Sequence, residues 1–135
     1  MWRRRCRATK PKIVKANTLT EFSTSERCFI SENWGSSEDE KVSIARARVE
    51  PGVTTAAHHL TAVDEIYVIV KGKGTVYVGN LEPAEVNVGD TVFIPAGTSQ
   101  RIGNIGEADL VFYCICTPRF TPKCYHNEEN QKNQP

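Results

Sequence analysis

The stretch Gly52-Val53-Thr54-Thr55-Ala56-Ala57-His58-His59-Leu60-Thr61-Ala62-Val63-Asp64-Glu65-Ile66-Tyr67-Val68-Ile69-Val70-Lys71-Gly72 decides how this chain is read. It has a glycine at each end, two adjacent histidines near the middle and a glutamate heading a run of Ile, Val and Tyr. β-Branched and aromatic residues favour strands, and glycine permits the positive φ of a tight turn. Imidazole and carboxylate groups from neighbouring strands can meet inside a barrel and hold a metal ion. Strand parity limits which of them meet, because side chains at i and i+2 share a face. His58 and Leu60 share one face and His59 the other, unless a bulge intervenes. If Glu65 points inward, Tyr67 and Ile69 do too.

Working outward, nearly every periodic segment alternates with period two, the strand signal. Strands are expected at Lys12–Ala16, Arg27–Glu32, Lys41–Val49, Thr54–Leu60, Glu65–Val70, Thr75–Val78, Val86–Val88, Thr91–Ile94, Gln100–Ile102 and Asp109–Thr117. Asn33–Glu40 reads as a polar, acidic loop, and Leu19–Ser23 as a turn. Lys71-Gly72-Lys73-Gly74 suits a tight hairpin, and Pro95 ends a strand because it cannot donate to a ladder. Short strands punctuated by Gly and Pro, with no amphipathic helix, predict an all-β sandwich or barrel.

With 135 residues the chain is read as one domain able to bury a core. Formal charge is +1, but six cations fall in the first twelve residues, leaving 11 basic and 16 acidic residues in the rest. Residues 1–12 are read as a basic, flexible leader, residues 13–120 as the barrel and residues 121–135 as a polar tail. Polyanion binding by the leader is the alternative, and nucleic acid is not the expected partner. No run approaches the length of a membrane span, and no apolar stretch follows the basic residues as a secretion signal requires. The five cysteines are odd in number and lack C-x-x-C spacing, which predicts reduced thiols in a cytoplasmic setting.

A second stretch, Gly89-Asp90-Thr91-Val92-Phe93-Ile94-Pro95-Ala96-Gly97-Thr98-Ser99-Gln100-Arg101-Ile102-Gly103-Asn104, joins the first in carrying a resemblance. Gly52, His58, Glu65 and Gly72 fall at the spacing of the first cupin motif, with Leu60 where its second histidine stands. Gly89, Pro95, Gly97 and Asn104 fall at the spacing of the second, with Gln100 in place of its histidine. The chain therefore resembles the small single-domain cupins over about residues 42–118. That resemblance implies a double-stranded β-helix, or jelly-roll, barrel that often pairs into a homodimer. It also implies a divalent metal (iron, manganese, nickel, copper or zinc) held by histidines and a glutamate. Carried over by position, the ligand set is His58, Glu65 and Gln100, with His59 as the alternative to His58. An amide oxygen binds transition metals less well than imidazole does.

Each residue has a plainer reading beside the functional one. His58 can be a hydrogen-bonded histidine at the barrel mouth, and His59 a surface residue. Glu65 in an apolar strand needs a partner; a metal or an arginine would serve. Glu65 and Tyr67 are candidate proton-transfer groups, and Tyr67 is equally a core residue. Arg46 and Arg48 share a face: inward they would form an anion pocket, outward they pair with surface acids. Gln100 and Asn104 either line the pocket or bond loops. Cys114 and Cys116 read as buried free thiols. The run Cys116–Phe120 reads as a barrel end and strap. Two functions are expected in competition. One is a metal-dependent enzyme of oxygenase, isomerase or lyase type on a small polar or anionic molecule. The other is a non-catalytic binding or sensing barrel, with or without metal.

Overall fold

The computed structural model describes residues 10–35 and 38–129. The basic head from Arg3 to Arg7, Cys6 and the residues after Glu129 lie outside them. Among the described residues eleven strands follow in chain order: β1 Phe22–Ser23, β2 Phe29–Trp34, β3 Ser43–Val49, β4 His58–Leu60, β5 Asp64–Lys71, β6 Gly74–Val78, β7 Ala84–Val86, β8 Thr91–Ile94, β9 Gln100–Asn104, β10 Leu110–Thr117 and β11 Tyr125–Asn127. They form two antiparallel sheets, β1-β2-β3-β10-β5-β8 and β11-β4-β9-β6-β7. The chain adopts the all-β architecture expected from the alternation, in the jelly-roll form that the resemblance implies.

Alternation places the core. In β5, Glu65, Tyr67 and Ile69 are buried while their neighbours face outward, as parity requires. Val49, Ile69, Ile94, Ile102, Leu110 and Phe112 pack between the sheets, each such burial contributing roughly 1.5–3 kcal/mol. A smaller cluster of Leu60, Val63, Cys116 and Cys124 closes one end. The β5–β6 hairpin turns at Gly72, whose φ of +80° and 2.7 Å approach of a notional Cβ to the Asp109 carbonyl leave room for glycine alone.

Several expected boundaries move, each for a hydrogen-bonding reason. Lys12–Lys15 forms no strand; Ala16–Thr18 is a 3₁₀ turn, fixed by Thr18 Oγ1 on the Lys15 carbonyl at 2.6 Å. Phe22 and Ser23, expected in a turn, pair instead with Ile30 and Phe29. Asn33 and Trp34, expected in the acidic loop, continue β2 past an irregularity in its pairing with β3. Of Thr54–Leu60, only His58–Leu60 is a strand. Thr55 and Ala56 spend their N–H groups on Ile102 and Glu26 carbonyls at 2.9 and 3.1 Å. The polar tail supplies β11, which covers the edge of β4. No helix among the described residues is long and apolar enough to cross a membrane.

Candidate functional site

β4, β5 and β9 bring His58, Glu65 and Gln100 to the inner wall, where they are 5, 7 and 1% exposed. His58 sits directly opposite Gln100 in the β4–β9 pairing. His58, Glu65 and Tyr67 line a cavity of about 500 Å3 between the sheets. Its other walls include Ala45, Ala47, Phe112 and Cys114. His59 turns away: it stacks on His126 at 4.9 Å and its Nδ1 lies 3.3 Å from Glu128.

The Nδ1 of His58 is 2.9 Å from the Ala56 carbonyl. A carbonyl only accepts, so Nδ1 carries the proton in this bond; in the neutral ring the lone pair is then on Nε2. Glu26 Oε2 lies 3.6 Å from the same Nδ1, and the Tyr125 ring covers the imidazole at 4.9 Å. Glu65 receives the Cys116 thiol on Oε2 at 3.4 Å, while its Oε1 is buried without a hydrogen-bond partner among the described residues. Burial raises the Glu65 carboxyl above the ordinary glutamate range; His58, Gln100 and Cys116 pull the other way. Burial likewise raises Glu26, against the pull of His58. The Tyr67 hydroxyl donates to Gln100 Oε1, and burial keeps that hydroxyl protonated.

This donor set does not fit the metal centre that the resemblance implies. The oxygen of Gln100 accepts from Tyr67, and Gln100 favours the ionised form of Glu65. Leu60 fills the remaining position with a buried aliphatic chain. Of the three expected ligands, His58 and Glu65 remain. Among the described residues no three His, Cys, Asp or Glu side chains converge to hold a metal ion.

The pocket candidates Arg46, Arg48 and Asn104 do not line this cavity. Alternation along β3 turns Ala45 and Ala47 inward. Arg46 and Arg48 therefore face outward, on Glu21 at 3.5 and 2.7 Å, and Arg48 reaches Asp109 at 3.3 Å. Asn104 is a loop clamp: its Nδ2 donates to Val49 and Ala108 carbonyls at 2.9 and 2.8 Å, and its Oδ1 accepts the Gly106 N–H at 2.9 Å. Glu26, Cys28 and Arg119 are among the wall residues that escaped the sequence reading. The four described cysteines, Cys28, Cys114, Cys116 and Cys124, are free. Burial raises the Cys28 thiol to about 11, which leaves it an apolar wall group near neutral pH.

Two antiparallel sheets packed as a jelly roll, with an imidazole and a carboxyl on the inner wall, define a cupin-type barrel. Residues 45–116, more than half the chain, match the family described as cupin domain, and the chain belongs to that family. An uncharacterised protein of Methanocaldococcus jannaschii is 38% identical over 81 residues, which span 60% of this chain and 64% of that protein. The oxalate-binding protein of Thermotoga maritima is 34% identical over 71 residues, 53% of this chain and 58% of the relative. The chain thus matches less than two thirds of the length of these curated relatives. A Streptomyces protein solved with uridine, whose wild-type form is described as a nucleoside dehydratase, superposes with a TM-score of 0.73. It is 15% identical, over 88% of this chain and 91% of that one, a likeness of fold.

Proposed function

We propose that this barrel binds a small polar organic molecule and exchanges protons with it through Glu65 and His58, without a resident metal. The observation that carries the reading is Glu65 Oε1, a buried carboxyl oxygen with no partner in a residue on the cavity wall. Leaving such an atom unsatisfied costs on the order of 1–3 kcal/mol, which a ligand bonding to it would recover. The raised carboxyl is biased toward its neutral, donating form, whereas the neutral imidazole of His58, with Nδ1 donating to the Ala56 carbonyl, offers Nε2 as an acceptor. An acid and a base on one wall suit reactions that remove a proton from carbon and deliver one to oxygen. Dehydration of a nucleoside, described for a fold neighbour, lies within that range. A homodimer in a reducing cytoplasm belongs to the same proposal, with light scattering as the check on its oligomeric state.

Two measurements on untagged protein test this reading. The first is metal content after supplementation with iron, manganese, nickel, copper and zinc. The second is NMR detection of solvent deuterium entering small hydroxy acids, keto acids and nucleosides. We expect less than about a tenth of an equivalent of metal. We also expect deuterium incorporation that Glu65→Gln slows roughly a hundredfold while binding persists. The competing reading, also favoured by the orphaned oxygen, is a divalent ion on His58 and Glu65; a full equivalent of metal lost in His58→Ala would establish it instead. Binding with no incorporation would leave a sensing or carrier barrel.

A further inference from the structure

We infer that Arg119, on the segment leaving β10, is the specificity residue of this cavity, and that the ligand it selects carries a carboxylate or phosphate group. The inference rests on the binding reading above and adds the class of ligand. Arg119 lines the cavity from a segment pinned at two points: its own N–H on the Glu40 carbonyl at 3.3 Å and the Phe120 N–H on Ser43 Oγ at 2.9 Å.

Five arginines fall among the described residues, and four have partners. Arg27 pairs with Glu129 at 2.8 Å, Arg46 and Arg48 with Glu21 at 3.5 and 2.7 Å, and Arg101 lies over the Tyr77 ring at 4.3 Å. Arg119 has no carboxylate within 4.0 Å and no ring among the described residues, although Glu26, Glu32 and Glu65 line the same cavity. A half-buried arginine without a partner among the described residues is a poor structural element and a good anion receptor. Its planar fork matches carboxylate and phosphate with two parallel hydrogen bonds. Phe22, Trp34 and Pro122 share the cavity lining, and apolar surroundings strengthen such a pair relative to open water. A ligand held by its acid group at Arg119 would extend its remaining polar atoms toward Glu65 and His58. About 500 Å3 accommodates a small organic acid.

The test is ligand-observed NMR with the full chain. Succinate, benzoate and phenyl phosphate are compared with succinamide, benzamide and phenol in wild type, Arg119→Ala, Arg119→Lys and Arg101→Ala. Acids should bind at least about tenfold more tightly than their neutral counterparts, the range of a charge-assisted bidentate contact. Arg119→Ala should erase that preference, Arg119→Lys should keep part of it, and Arg101→Ala should leave it whole. The ratio of benzoate to phenyl phosphate affinity decides between carboxylate and phosphate. Equal binding of acids and neutral partners, or a preference surviving Arg119→Ala, overturns the role of Arg119 and leaves the binding barrel standing. No binding of any probe by wild type overturns both.

Discussion

The Tyr67 hydroxyl donates to the side-chain oxygen of Gln100, joining β5 of one sheet to β9 of the other across the barrel interior. Both residues are almost fully buried. At the position where the family motif has histidine, the glutamine amide accepts from the phenol through its oxygen.

Tyr67→Phe strands the Gln100 oxygen in a dry interior. We expect a loss of about 1–3 kcal/mol in urea unfolding. Replacing both partners, as in Tyr67→Phe with Gln100→Leu, should cost less than the single change, because no buried acceptor is then left over. A double variant worse than the sum of the singles would contradict this account.

Glu65 makes stability depend on pH. Its carboxyl is raised in the folded state, mainly by burial, so the fold holds the proton where the unfolded chain releases it. Its stabilising contribution is complete below the ordinary glutamate range and is lost as pH rises through the folded-state value. Glu26, also raised, acts in the same direction. Glu65→Gln should therefore melt roughly 3 °C above wild type near pH 8 and converge with it near pH 4. A melting curve for wild type that is flat from acid to neutral pH would count against the buried neutral acid.

Leu60→His together with Gln100→His would restore the histidines of the two motifs. With His58 and Glu65 they complete a three-histidine, one-carboxylate set. We expect bound metal to rise from a trace to about one equivalent by elemental analysis. Metal already stoichiometric in wild type would show that two donors suffice.

Binding should be indifferent to residues that parity turns outward. His59→Ala, Arg46→Ala and Arg48→Ala should leave ligand affinity within about twofold, while His58→Ala reduces it. Arg48→Ala should cost about 1 kcal/mol of stability, through Glu21, Asp109 and the Phe29 ring beneath its guanidinium. Asn104→Ala removes three hydrogen bonds from a buried loop clamp and should cost about 2–4 kcal/mol.

The inner wall was legible because period two is a local rule. It selected His58 over His59 as the inward histidine and grouped Glu65 with Tyr67. The rule is silent on which face of β3 is inside, so Arg46 and Arg48 stayed undecided until Ala45 and Ala47 were seen against the cavity. It is equally silent on how an amide turns, and the orientation of Gln100 is what separates a ligand from a hydrogen-bond bridge. Glu26 and Arg119 had no periodic signal, since each lies in a connection whose path is set by distant backbone partners. β11 was hidden by its polar composition; a place on the edge of β4 supplies the hydrogen bonds that its side chains do not announce.

Arg27 bonds the Thr54 carbonyl and Glu129, tying the segment that carries Glu26 to the far end of the described chain. Residues from both flanks thus furnish part of the cavity wall: Phe22, Thr24 and Glu26 from one, Arg119 to Pro122 from the other. All lie outside residues 45–116, the stretch shared with the family. Kinship and part of the cavity lining are therefore written in different parts of the chain. Close resemblance across the motifs predicts a shared floor, while two such barrels can welcome unlike guests.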